Sequence, residues 1–472
     1  MTIQIDFANL TIMRKLKDLI AEHAGQNLAL HEYINPQFAK VLSTIGFDKI
    51  YTRANGASLF DKDGVEYYDF LAGYGVHAVG RNHPRLKEAI RDYLDLDMAN
   101  LVQMDAPLMS GLLAKKLIEI FGHGVRDTVF FTSSGTEANE AAIKFVRCTT
   151  ERSKLIHLDH AFHGLTNGSL SVNGNKEFRD GFGELLPSES VPMNNLEALE
   201  DKLRTKDVAA FIFEPIQGKG VHIPDDNYLK NAVELCRQYG TLTIADEVQT
   251  GIGRTGKWLA CEHFGIEPDI VTLSKALSGG MVQCGAVVYK RSIYDKVFSR
   301  MDRCVVHSST FGKNNLSMVC GLTSLAIIED EDLLANAERL GNLLLSKLKD
   351  LQTKHDWILD VRGKGLMIGI EFGKPSGLKK KLIWDAVHKI DKGLFGELIV
   401  IPLLTKHRIL TQVSGHHQDI VKLLPPLMIT EKHVEIFVAA LESVLAECAK
   451  VGGPILTMGK NLAKHVVGTR AS

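Results

Sequence analysis

From about Pro107 to about Ser308, short runs rich in apolar residues alternate with longer stretches whose apolar positions recur at helical spacing. Thr128-Val129-Phe130-Phe131, Lys154-Leu155-Ile156-His157-Leu158, Leu242-Thr243-Ile244-Ala245 and the run ending at Leu273 read as strands buried on both faces. Strands and helices in that alternation predict a mostly parallel sheet covered on both sides. Upstream, Tyr51 to Leu71 carries short alternating strands around Asn55-Gly56 and Asp63-Gly64, both hairpin signals. Ile12 to Leu30 reads as one or two amphipathic helices, and Asp332 to His355 as a helix bridging two domains. Asp360 to Val451 mixes strands and helices. The pattern divides the chain into five segments. These are an N-terminal helical extension (1–50), the N-terminal part of a small domain (51–106) and a large α/β domain (107–330), then a bridging helix with the C-terminal small domain (331–451) and a tail (452–472).

Composition narrows the partners. The 472 residues carry a formal net charge of −1, which argues against a polyanion, so no nucleic acid is expected. No stretch is long and apolar enough to span a bilayer, and the N-terminus shows no secretory pattern, so no membrane partner is expected. Seven cysteines without paired spacing read as reduced thiols and a cytoplasmic location. Gly415-His416-His417-Gln418-Asp419 has metal-binding residue types but no second cluster at ligand spacing, so no metal is expected. Gly251 through Lys257 nearly spells a nucleotide phosphate loop, but Trp258 stands where the Mg²⁺-binding hydroxyl belongs.

The candidate chemistry starts at Lys275, which follows a buried strand and precedes a run of small residues. A lysine stripped of water there has a lowered pKa and can act as a nucleophilic amine. Asp246 ends another strand, where a buried carboxylate can keep a ring nitrogen protonated; Glu247 beside it points elsewhere, because adjacent strand side chains diverge. Ser134-Gly135-Thr136 opens a helix and offers N–H groups and the helix dipole to an anion. Phe162, ahead of His163-Gly164, supplies a ring that can lie over a planar ligand. An amine, a carboxylate, a phosphate cradle and a stacking ring together fit one cofactor, pyridoxal 5′-phosphate.

With these residues in place, the chain resembles the class III aminotransferases, which include ornithine, acetylornithine, 4-aminobutyrate and putrescine transaminases. The resemblance runs from about Asn35 to about Cys448. It rests on ordered blocks such as Ser134-Gly135-Thr136-Glu137-Ala138, Phe162-His163-Gly164, Glu214-Pro215-Ile216-Gln217-Gly218, Asp246-Glu247-Val248-Gln249, Ser274-Lys275-Ala276-Leu277, Thr310-Phe311-Gly312 and Pro425-Pro426-Leu427. It implies an α/β protein of transferase fold type I, with a large, mostly parallel seven-stranded sheet domain and a smaller α+β domain. It implies further that Lys275 forms the Schiff base with the cofactor and shuttles the substrate proton, and that Asp246 pairs with the ring nitrogen. Val248 would pack under the ring, Gln249 would bond the ring hydroxyl, and Phe162, with His163 beside it, would cover the other face. Ser134, Gly135 and Thr136 would hold the phosphate. Thr310 would serve the partner's site in a homodimer with shared active sites, and Glu214 would line the substrate side.

The departures bear on substrate. Lys422 stands where relatives often carry an arginine before Pro-Pro-Leu, which weakens recognition of an α-carboxylate and leaves a Lys422–Glu214 pair as the expected substitute. Leu165, Lys219 and Gln283 replace an arginine, an acid and a proline common in relatives. Tyr74 and His77 are candidates for the pocket entrance. The expected reaction is transamination between an amine, such as a diamine or ω-amino acid, and an oxo acid or aldehyde. An aminomutase, epimerase or lyase on the same cofactor is the alternative, and a non-catalytic scaffold the third reading.

Overall fold

The computed structural model describes residues 16–389, 393–415 and 418–448. The tail from 452 and the His416-His417 pair lie outside the described residues. The centre is a seven-stranded sheet of β4 (Thr128–Thr132), β5 (Lys154–Leu158), β6 (Ser188–Val191), β7 (Val208–Phe213), β8 (Leu242–Asp246), β9 (Ile270–Leu273) and β10 (Gly285–Tyr289); β1 to β3 are the hairpin strands Tyr51–Asn55, Ser58–Asp61 and Glu66–Asp69. Its order is β4-β10-β9-β8-β7-β5-β6. The pairs from β9 to β6 are parallel, whereas β10 runs antiparallel to both β4 and β9. The sheet is therefore mostly parallel, as the alternation predicts.

The strands read as continuous apolar runs because both faces are covered. Every residue of β7, β9 and β10 is buried. Side-chain alternation feeds two cores: Ile212, Ile244, Ile270 and Val287 pack on one side with the helix Gly135–Thr150. Phe211, Phe213, Ala245, Val271 and Val288 pack on the other. The helix Gly135–Thr150 is capped by Ser134, whose hydroxyl accepts from Glu137 N at 3.3 Å.

Two smaller sheets flank this body. In one, β1-β2-β3 continues into β13 (Ile409–Leu410), which pairs in parallel with β3 and so joins the two ends of the chain. In the other, β11 (Ile358–Lys364), β12 (Met367–Phe372), β15 (Ile420–Leu423) and β14 (Gln412–Val413) are antiparallel. The helix Leu333–Lys354 precedes β11 of this sheet in the chain. The helix Leu394–Thr405 is apolar nearly all round, with ten of its twelve residues buried. The Lys379-Lys380-Lys381 run opens the helix Leu378–His388, where Lys380 is held by Asp356 at 2.5 Å. The Gly251–Lys257 stretch forms turns and is followed by a short 3₁₀ segment, so it builds no phosphate loop.

Candidate active site

The carboxyl ends of the strands open into one cavity of about 920 Å³. Ligands of α/β sheets bind at such ends, and five of the strands lead to groups that line this cavity. β4 leads to Gly135 and Thr136, β5 to Phe162 and His163, β7 to Glu214, β8 to Asp246, and β9 to Lys275.

Asp246 is nearly inaccessible, at 4% exposure. One oxygen accepts from Asn139 Nδ2 and from His163 Nδ1, both at 2.8 Å, and the other from Val248 N at 3.0 Å. Burial pushes this carboxyl up. The hydrogen bond and charge of His163, with the Val248 and Asn139 donors, outweigh it, and the group lies below its ordinary value. Asn139 is fixed in turn, donating to His163 O at 2.7 Å and accepting from Thr272 Oγ1 at 2.8 Å. Glu247 turns the opposite way and bonds Ala260 N, Cys261 N and Thr250 Oγ1, so it does not reach the cavity.

Lys275 adopts φ +41°, a conformation that non-glycine residues seldom take and that clusters at functional sites. Burial lowers its amine, against the opposite pull of Asp246 and Glu214. Among the described residues no ion pair holds it. Glu214 is raised by burial and by Asp246, and its oxygens are taken by Phe162 N at 3.0 Å and Gly218 N at 2.7 Å.

Lys422 does not pair with Glu214, contrary to the sequence expectation. Its amine donates to Gly218 O at 2.6 Å and to Gln249 Oε1 at 3.2 Å, because the backbone around Gly218 already fills the Glu214 carboxylate. Gln249 passes its amide on to Tyr74 O at 3.2 Å.

Of the candidates, Gly135, Thr136, Phe162, His163, Asp246, Val248, Gln249, Lys275, Tyr74, Glu214 and Lys422 line this cavity. Ser134, His77 and Thr310 do not. The Ser134 hydroxyl is spent on its helix cap. His77 lies against Gly280 and bonds Arg81 at 3.1 Å; burial holds its ring at about 4. Thr310 is exposed. Three groups escaped the sequence reading: Asn139, Glu397 and the 412–415 strip of Gln412, Val413, Ser414 and Gly415. A polar residue on the alanine-rich face of the helix Gly135–Thr150 is the one signal that marks Asn139.

Pyridoxal 5′-phosphate fits these donors. A Cβ at Gly135 would lie 2.8 Å from Val248 Cγ1, so the glycine keeps clear the space beside Val248. Gly135 and Thr136 open their helix, where N–H groups have no intrahelical acceptor and suit a phosphate. An ionised carboxylate and an amine without an ion pair face the same space, as a pyridinium nitrogen and an aldehyde require.

Comparison with known proteins agrees. The family described as aminotransferase class-III matches residues 44–445. An acetylornithine aminotransferase of Methanocaldococcus jannaschii is 37% identical over 85% of this chain and 94% of its own. The aminotransferase PigE of a Serratia species is 36% identical over 88% of this chain, which spans only 53% of PigE. Among solved structures, the ornithine aminotransferase of Toxoplasma gondii, with pyridoxal phosphate at partial occupancy, superposes with a TM-score of 0.77 at 28% identity. That match covers 94% of this chain and 98% of the other.

Proposed function

The chain belongs to the class III aminotransferases and is a pyridoxal-phosphate-dependent aminotransferase; from that premise we propose that its donor is a terminal amine, of a diamine or ω-amino acid, and its acceptor an oxo acid or aldehyde. The observation that carries this reading is the lack of a carboxylate clamp. No arginine lines the cavity among the described residues, and Lys422 already serves Gly218 O and Gln249. Lysine offers a carboxylate one compact charge where arginine offers a fork, so an α-amino acid finds little to fix it.

The cofactor, when bound, supplies the electron sink for the substrate carbon. Lys275 would be the amine that joins its aldehyde and the base that moves the substrate proton, and burial lowers that amine in the direction this role requires. Asp246, ionised and braced by His163 and Asn139, would keep the ring nitrogen protonated. Gly135 and Thr136 would take the phosphate, Phe162 and Val248 would border the ring, and Gln249 would address its hydroxyl. Glu214 holds the loop at Phe162 and Gly218 in place.

The active unit in this reading is a homodimer that shares its sites. Large apolar side chains stand exposed in 94–112 and 301–311, among them Leu96, Met104, Met301, Val305 and Phe311, next to Thr310. A second copy of the chain is the natural cover for such surface. Seven free cysteines support a cytoplasmic setting, and no helix among the described residues is long and apolar enough to cross a membrane.

Borohydride reduction of the purified holoenzyme followed by peptide mass mapping tests the linkage. The cofactor mass is expected on Lys275 and absent in Lys275→Ala. A tag on another lysine overturns the assignment. Terminal amines alone should convert the cofactor stoichiometrically to its aminated form, whereas release of ammonia without amination would indicate a lyase.

A further inference from the structure

We propose that Glu397 is the counter-charge for a second cationic group at the far end of the amine donor, so that the cavity selects diamines over ω-amino acids. The inference rests on the terminal-amine reading above and deepens it.

Glu397 is the one charged residue in the helix Leu394–Thr405 (Leu-Phe-Gly-Glu-Leu-Ile-Val-Ile-Pro-Leu-Leu-Thr). It lines the same cavity as Lys275, together with Gly393, Leu394 and Val413. The other buried carboxylates near the site are each engaged at least twice: Asp246 by three donors, Glu214 by two backbone N–H groups, Glu247 by three. Glu397, half-buried, has no hydrogen bond or ion pair among the described residues. Burial raises its carboxyl, and among the described residues it forms no ion pair with Lys219, Lys275 or Lys422. A carboxylate drawn from water without a partner is unfavourable, and a ligand cation relieves that penalty.

The remaining charge in the cavity sharpens the choice. Among the described residues Lys219 stands 3.5 Å from the Phe178 ring centre and makes no ion pair, and Lys422 meets only neutral oxygens. A distal ammonium is repelled there and drawn to Glu397; a distal carboxylate meets the reverse. The cavity, at about 920 Å³, lies near the top of the roughly 300–1,000 Å³ typical of ligand pockets, which leaves room for an extended substrate beside the cofactor.

The test uses holoenzyme and three donors of one length: 1,5-diaminopentane, 1-aminopentane and 5-aminopentanoate. Conversion of the cofactor by each donor alone is followed by absorbance. The diamine-to-monoamine ratio of kcat/KM should fall roughly tenfold or more in Glu397→Gln, and Glu397→Lys should turn the preference toward 5-aminopentanoate. Calorimetric binding of pentyltrimethylammonium, which has no reactive nitrogen, should weaken in parallel. Unchanged ratios and unchanged cation binding, in variants that still convert terminal amines, overturn the inference alone. Conversion by α-amino acids only overturns the terminal-amine reading and this inference with it.

Discussion

The cavity has two walls of different character. The wall built from strand ends of the seven-stranded sheet satisfies most of its own polar groups, with the buried His163 Nε2 left unpartnered among the described residues. Asp246, Asn139 and Glu214 all find hydrogen-bond partners within the chain, and among the described residues the Lys275 amine has none. The wall built from the helix Leu394–Thr405 and strands β14 and β15 is unfinished among the described residues: Lys422 rests on neutral oxygens and Glu397 on no partner. A completed network fixes geometry before anything binds, which suits a cofactor common to a family. An incomplete one leaves charge for the ligand to answer, which suits substrate choice. Substitutions on the first wall should therefore disable the enzyme toward all substrates, and those on the second should redistribute preference among them.

The largest effect should come from Asp246→Asn. It removes the one charge the ring nitrogen needs and leaves His163 Nδ1–H and Val248 N–H facing a neutral amide. Breaking a buried charged network of this kind is worth about 3–5 kcal/mol, or roughly 10²–10³-fold or more in turnover. The loss should be similar for every donor and acceptor, measured as kcat/KM across a panel. A loss confined to one substrate class would erase the distinction between the walls.

Asn139→Ala comes next, and it also shows where the sequence stopped being readable. The strands were legible because burial on both faces leaves unbroken apolar runs. Asp246 and Lys275 were legible because each ends such a run, and Asp246 could be told from Glu247 by strand alternation. Asn139 was not, because its partners lie 107 and 24 positions away at Asp246 and His163, contacts that only the packed sheet creates. The parallel pairing of β13 with β3 was hidden for the same reason. Glu397 was hidden differently: in a helix that is apolar nearly all round, periodicity gives no face. Removing Asn139 takes the partner from His163 O and Thr272 Oγ1 and one of three donors from Asp246, at about 1–3 kcal/mol of stability. Denaturant melts should show that loss, and cofactor retention on dilution should fall with it. An unchanged midpoint would mean that the Asn139 bonds contribute nothing to this wall.

The smallest effect, and the most specific to the second wall, is a pH dependence at Lys422. Burial, the charge of Lys275 and that of Lys219 push its amine from 10.5 to about 7, with Glu214 pulling the other way. In the unfolded chain lysine keeps its proton to about 10.4. Between these values the unfolded state holds one more proton than the folded state, so stability rises with pH across the window and is lowest below about 7, where the buried amine is charged. Thermal melts of wild type relative to Lys422→Met should therefore climb from pH 7 to pH 9. Acceptor binding should run in the opposite direction. If the ammonium meets the carboxylate of an oxo acid, KM for that acceptor rises above pH 7 by up to roughly tenfold per unit, while KM for an uncharged aldehyde does not. Lys422→Arg keeps its charge across this range and should flatten the oxo-acid profile. A wild-type slope that persists in Lys422→Met would remove Lys422 from acceptor recognition and leave it as a prop for Gln249 and Gly218, a residue of the first kind standing in the second wall.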